Sequence, residues 1–358
     1  MKKKLQQIIM VVLVTLTLSS CTKDEIAVPH GYVNESFFVR HEGADLYTTA
    51  RGNNSTNSII INIHGGPAQG AQLIALTRPV VYEELEKLGI VVYYDQRGIG
   101  LSTGHFSEST INLPQFTDDL QNVIEVCKYK YGDEKKIFLL SRSWGGLLAA
   151  EYLLNQSRQD GIHGWINIAG AYDLPKITTY GKNNLLNIAN EQIGLNKSTE
   201  EWNKIKNYAI NYDSTNLSWD NLNQLWSKGV EGMELLTNDG MIIENTSTSG
   251  LSSDEVGGST AYSSFEVTQN DWQEIPETIM KPLLTYSPEM DNISIPTYFI
   301  YGKYDLIVPA DLAQFGFENL STPETDKYLQ VYPNQAHFPM GNFEQFVSDV
   351  KAFIQKYE

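Results

Sequence analysis

Cysteine is scarce in this sequence, with only Cys21 and Cys127 among 358 residues. Two thiols build neither a disulfide framework nor a thiolate metal site. Positive charge is also short: 26 Lys and Arg face 43 Asp and Glu, for a formal net charge of −17. That balance argues against nucleic acid, whose binding depends on Lys and Arg clustered on phosphates. Neither Gly-x-Gly-x-x-Gly nor Gly-Lys-Ser/Thr occurs, so no glycine loop of those types cradles a phosphate. The rest of the composition is that of a folded chain, with 41% hydrophobic, 11% aromatic and 19% charged residues, which rules out wholesale disorder. The length fits one large α/β domain carrying an insertion, or two ordinary domains.

The amino-terminal segment reads as an export signal. Lys2, Lys3 and Lys4 precede an apolar stretch from Ile8 to Leu18. That stretch falls short of the roughly twenty residues of a membrane span and suits a signal's apolar region. It ends in Leu18-Ser19-Ser20-Cys21, which resembles a bacterial lipobox. The resemblance implies lipidation of Cys21 and cleavage before it, a membrane partner through that lipid, and a location in the cell envelope. A plain secretory signal is the alternative. Thr22-Lys23-Asp24-Glu25 resembles the acidic tracts that direct some Bacteroidota lipoproteins to the outer surface, and residues 21–35 read as a tether. Loss of residues 1–20 removes three Lys and no acid, taking the net charge from −17 to −20. Cys127 lies in an apolar helical pattern with Phe116, Leu120, Val123 and Ile124 and reads as a small core residue.

From residue 36 the pattern alternates strand and helix. Ser36–Arg40 and Asp45–Ala50 suggest a short hairpin. The β-branched run Ser58–Ile63 suggests a strand covered on both faces. Further strands are expected at Ile90–Tyr94, Ile137–Leu140, Trp165–Ala169, Thr297–Tyr301 and Tyr328–Val331, with helices between them. Such alternation predicts an α/β fold with a mostly parallel sheet flanked by helices over residues 36–171 and 292–358. Between Tyr172 and Asp291 the rhythm stops. Residues 172–291 read as a mainly helical cap insertion holding Trp202, Trp219, Trp226 and Trp272, with Glu244–Ser264 as a loop rich in Ser, Thr and Gly. At helical spacing these tryptophans suit the cap's own core better than a substrate pocket.

The chemistry gathers at strand ends. Ser141-Arg142-Ser143-Trp144-Gly145-Gly146 joins an expected strand to an expected helix, the context of a nucleophile elbow. Ser141 stands where the usual pattern has glycine. A serine hydroxyl needs a base, and the base an acid to orient it. His337, after the last expected strand, and Asp305, after the strand Thr297–Tyr301, supply them in the chain order Ser143, Asp305, His337. Asp173 is a rival acid. The tetrahedral oxyanion needs N–H donors, commonly worth about 3–4 kcal/mol each. The amide of Trp144 is one, and Gly66 in His64-Gly65-Gly66-Pro67 is the other, with Gly65 as second choice. His64 reads as fixing that loop rather than as the base.

Three segments together resemble the proline iminopeptidase-type α/β-hydrolases of peptidase family S33: His64-Gly65-Gly66-Pro67, Asp95-Gln96-Arg97-Gly98-Ile99-Gly100-Leu101-Ser102, and Ser143-Trp144-Gly145-Gly146. Gly302-x-x-Asp305 and Ala336-His337 complete the likeness. Where the family has Pro-Gly in the first segment, Ala68 follows Pro67 here. Asp95 and Arg97 are expected to pair and hold their loop. The resemblance implies an α/β-hydrolase fold and a serine hydrolase that releases N-terminal proline or a small residue from short peptides, with no metal or cofactor. It also implies acidic cap residues that recognise the free amine, for which Glu200, Glu201, Glu231 and Glu234 qualify by position only. A carboxylesterase or lactonase using the same three residues is the first alternative. A hydrolase-fold lipoprotein that binds without turnover is the second.

Overall fold

Among the described residues, six β-branched and aromatic runs pair as neighbouring parallel strands of a nine-stranded sheet. The computed structural model describes residues 31–66, 70–72, 79–243, 279 and 281–358. Cys21, Pro67, Ala68, Trp272 and the segment Glu244–Ser264 therefore lie outside the described residues. The parallel strands are β3 (Ser58–Ile63), β4 (Ile90–Tyr94), β6 (Lys136–Arg142), β7 (Ile162–Ile168), β8 (Thr297–Gly302) and β9 (Lys327–Tyr332). Their spatial order is β4-β3-β6-β7-β8-β9. Two longer strands, β1 (Tyr32–His41) and β2 (Ala44–Asn53), continue the sheet antiparallel beyond β4, and β5 (Thr103–Gly104) pairs with β2. The hairpin thus exceeds its expected length and takes in part of the expected tether. Backbone pairing carries the strands beyond the apolar runs, through Asn34, Glu35, Arg51 and Asn53, while Val33 and Ala44 still pack on the core.

All six residues of β3 and all five of β4 are buried, as near-continuous apolar runs require, with the polar Ser58 and Asn62 of β3 buried among them. On one face α1 (Pro79–Leu88) and the carboxy-terminal helix Phe343–Tyr357 pack Tyr82, Leu85, Phe346 and Phe353 against Ile60, Val91, Phe138 and Ile166. On the other, α2 (Leu113–Tyr131) and α3 (Trp144–Leu154) cover Ile59, Ile61, Val92 and Leu139. Asn112 caps α2 by accepting from the Gln115 amide. Cys127 is fully buried on its inner face, and burial pushes the thiol up to about 12.

Between β7 and β8 the described chain runs through α4 (Leu174–Gly194), α5 (Thr199–Asn211) and α6 (Trp219–Asn238). These helices build a separate apolar cluster around Trp202, which is fully buried. The cluster also takes in Tyr304 and Leu306, from the turn after β8. Trp219 and Trp226 instead form a half-buried, edge-to-face pair with ring centroids 5.8 Å apart.

The turn after β4 is held differently from the expected Asp95–Arg97 pair. Arg97 is fully buried and binds Asp119 of α2 in fork geometry, with N–O distances of 2.9 and 2.7 Å. Its other donors reach the carbonyls of Glu42 and His41. Asp95 accepts from the amides of Ala71 at 2.6 Å and Leu101 at 2.9 Å. The Asp95 carboxylate is taken up by backbone amides of its own loop, and Arg97 reaches Asp119 instead. Asp119→Ala would leave the Arg97 guanidinium buried and uncompensated, a loss of about 3–5 kcal/mol of stability that a lower urea midpoint would report. A loss below about 1 kcal/mol, the range of exposed pairs, would contradict this account.

Candidate active site

The register of the sheet brings three strand ends together. Ile63 of β3 lies opposite Ser141, and Arg142 lies opposite Ile168 of β7. At their carboxyl ends the chain turns sharply into α3 through Ser143, with φ 51° and ψ −122°. Such a conformation costs a residue with a side chain about 1–3 kcal/mol and persists only where the surroundings impose it. Here the Ser143 amide donates to the Ile168 carbonyl at 3.0 Å, and the Ser143 carbonyl accepts from Gly146 at 2.8 Å and Ala171 at 2.9 Å. The small residues after it follow from packing. A Cβ on Gly145 would lie 2.3 Å from the Ile63 carbonyl oxygen, and one on Gly146 would lie 2.5 Å from the Gly170 Cα. Ser141, in place of glycine, is fully buried, and its hydroxyl accepts from the Trp165 indole at 2.8 Å.

His337 Nε2 stands 3.0 Å from Ser143 Oγ, and its Nδ1 stands 2.8 Å from Asp305 Oδ2. Asp305 is fully buried, and its Oδ1 accepts from the amides of Ile307 at 2.9 Å and Val308 at 2.8 Å. Those two bonds leave Oδ2 aimed at the imidazole. The rival Asp173 serves elsewhere: its carboxylate caps α4 through the Lys176 amide and pairs with the Lys176 ammonium.

A model of the family Serine aminopeptidase, S33, matches residues 58–251, more than half of the chain. The chain belongs to that family. It is a hydrolase with the α/β-hydrolase fold, as the motif resemblance implies. Among its relatives is the Bacillus subtilis (strain 168) protein named Probable aminopeptidase YbaC, 25% identical over 294 residues, 79% of this chain and 84% of that protein. In fold it is similar to a proline iminopeptidase-related protein from Thermus thermophilus, with TM-score 0.56 and 17% identity over 91% of this chain and 98% of the other. It is likewise similar to an esterase from Exiguobacterium antarcticum, with TM-score 0.54 and 16% identity over 89% and 99% of the two chains.

The hydrolase's glycine loop after β3 lies against the elbow. A Cβ on Gly65 would come 3.2 Å from that of Ser143, and Gly66 carries φ 127°, open mainly to glycine. Trp144, the first residue of α3, has an amide that no carbonyl of its own helix can accept. Two of the cap acids singled out by position are paired with lysines. Glu200 is exposed and paired with Lys204, Glu231 is paired with Lys228, Glu201 is half-buried and Glu234 is exposed. Among the described residues no group of three or more His, Cys, Asp or Glu is arranged to hold a metal ion.

Several supporting residues carry no sequence signal. Asn184 of α4 donates to the Asp305 carbonyl at 2.9 Å, and the Trp226 indole donates to the Ile307 carbonyl at 3.0 Å. A Cβ on Gly229 of α6 would meet the Leu306 carbonyl oxygen at 2.2 Å. On the histidine loop, the Gln335 side chain accepts from Gly341 at 2.7 Å and donates to the Ile243 carbonyl at 3.3 Å. Ile243 in turn donates to the Asn334 carbonyl at 2.9 Å. Asparagine on a helix and glutamine in a loop look like ordinary polar residues until their partners are known.

His64 is fully buried and fixes the glycine loop, with Nδ1 2.8 Å from the Gly65 carbonyl and Nε2 accepting from the Gln96 amide at 3.2 Å. Burial, reinforced by the Arg142 guanidinium, lowers its pKa to about 4. An unfolded chain binds that proton at pH about 6.5, so acidification from about 6.5 towards 4 favours the unfolded state. The wild type is expected to lose about 2–3 kcal/mol from this residue between pH 7 and 4.5, and His64→Gln to lack that part of the loss. Urea midpoints at the two pH values measure it. Identical pH dependence in both proteins would contradict the assignment.

Proposed function

We propose that the protein is an aminopeptidase releasing N-terminal proline or a small residue from short peptides by acyl transfer to Ser143. His337 Nε2 takes the hydroxyl proton as Ser143 Oγ attacks the carbonyl carbon. Asp305 keeps the Nδ1–H tautomer and steadies the imidazolium. The amides of Trp144 and Gly66 receive the oxyanion. The imidazolium returns its proton to the leaving amine, and water activated by the same imidazole then hydrolyses the acyl-enzyme. The observation that carries this reading is the pair of hydrogen bonds, 3.0 and 2.8 Å, from a strained elbow serine through His337 to a buried Asp305. Membership of the S33 family and the likeness to the Bacillus subtilis relative support the peptidase half.

A second reading, an esterase with the same three residues, is favoured by one observation. Glu200 and Glu231 are already paired with lysines, so neither carboxylate is free to meet a substrate amine. Proline 4-nitroanilide and 4-nitrophenyl acetate separate the two. The purified full chain is expected to hydrolyse both, and Ser143→Ala to lose both by about 10⁴-fold or more. Hydrolysis of the ester alone removes the peptidase reading.

We also infer that Cys21 carries a lipid that tethers the hydrolase to the cell envelope, on the strength of Leu18-Ser19-Ser20-Cys21. Growth with labelled palmitate should mark the wild type and leave Cys21→Ala unmarked. Label in neither protein removes the anchor.

A further inference from the structure

We propose that Gln96 is the positioning residue of the oxyanion hole, holding its two halves at a fixed separation. The inference rests on the reading of Trp144 and Gly66 as the oxyanion donors. In the sheet, β3 lies between β4 and β6, so the glycine loop after β3 and the elbow after β6 are neighbours. Gln96 follows β4, on the far side of β3 from the elbow, and only 1% of it is exposed. From there it contacts both halves. Its backbone N–H donates to His64 Nε2 at 3.2 Å, and its side-chain Oε1 accepts from the Trp144 indole N–H at 3.1 Å.

Each contact abuts a donor. His64 directly precedes Gly65 and Gly66 and bonds the Gly65 carbonyl through Nδ1 at 2.8 Å. With the proton on Nδ1, Nε2 is left as a lone pair, and the Gln96 amide is the group that fills it. Trp144 supplies the other donor from its own backbone. Its indole is buried and packs edge-to-face on Phe116, with centroids 6.4 Å apart. The orientation of residue 144 is thus set by Phe116 on one side and by Gln96 at the indole N–H.

The residue is itself rigid. On one side Asp95 is tied to the amides of Ala71 and Leu101, and Ser102 Oγ donates to the Asp95 carbonyl at 2.6 Å. On the other, Arg97 is locked to Asp119. A glutamine between two anchored neighbours makes a strut of fixed length. Its chemistry fits as well, since the site needs an acceptor for an indole and must avoid a negative charge beside a developing oxyanion. Glutamate would bring that charge, leucine would lack the acceptor, and asparagine would be one methylene short. Oxyanion donors act only within about 2.7–3.1 Å of the developing charge, and errors of about 1 Å cost about 100-fold.

Fluorophosphonate labelling of the full chain tests this, because the phosphoryl oxygen uses the oxyanion donors and no substrate need be known. Gln96→Leu and Trp144→Phe should each slow labelling about 10- to 100-fold. The double variant should be no slower than the slower single one, because both remove the same hydrogen bond. The pH midpoint of labelling should stay that of the wild type, since His337 and Asp305 are untouched. Trp144→Phe keeps an aromatic ring beside Phe116 while removing the indole N–H together with the second ring, so it answers even where Gln96→Leu folds poorly. Labelling within twofold of wild type in Trp144→Phe, losses that multiply in the double variant, or a moved pH midpoint would overturn the inference while Ser143→Ala remains unlabelled. Labelling that persists in Ser143→Ala would overturn the reading of the site itself, and the inference with it.

Discussion

The strained backbone of Ser143 is the constraint from which the site follows. With φ 51° and ψ −122°, it is held by the carbonyl of Ile168, the amides of Gly146 and Ala171, and the close approach of Gly65 and Gly145 to neighbouring chain. None of these groups can move independently, because the parallel register fixes where β3, β6 and β7 end. A close-packed interior transmits such strain instead of relaxing it. The hydroxyl is presented at the carboxyl edge of the sheet, where the loops bearing Asp305 and His337 also emerge.

The chain between β7 and β8 contributes to the core as well as to the surface. Leu306, next to Asp305, is buried in the cluster that α4, α5 and α6 form around Trp202. Asn184 and Trp226 hydrogen-bond the carbonyls of Asp305 and Ile307, while Ile243 and Gln335 bind the histidine loop. Movement of these helices would therefore displace Asp305 and the turn that carries it. Insertion and site are mechanically one unit.

Much of this was legible because it depends on local chemistry. The run Ser58–Ile63 reads as a doubly covered strand, and Ser143 before Gly145 and Gly146 suits a tight strand-to-helix turn. The order of Ser143, Asp305 and His337 after three strands was enough to bring them together. Partner choice across the fold was not legible. Arg97 has Asp95 two residues away, yet it pairs with Asp119, 22 residues distant. One clue existed, since Asp119 interrupts the apolar face of α2 formed by Phe116, Leu120 and Val123, and an acid there needs a buried cation. For Asn184 and Gln335 no such clue exists, and for Gln96 the Asp-Gln-Arg-Gly motif marks the residue but not its partners, because these roles lie in tertiary geometry. The ends of β1 and β2 were missed for a related reason: backbone pairing carries them past the apolar runs, through Asn34, Glu35, Arg51 and Asn53.

Acylation of Ser143 through His337 and Asp305 is the step on which the proposed function stands. Mass spectrometry of the full chain quenched during turnover of a slowly hydrolysed ester reads it out. An acyl adduct is expected on the peptide containing Ser143, formed more slowly when Asp305 is replaced by asparagine. Turnover with no adduct at Ser143, or with an adduct on another residue, would contradict it.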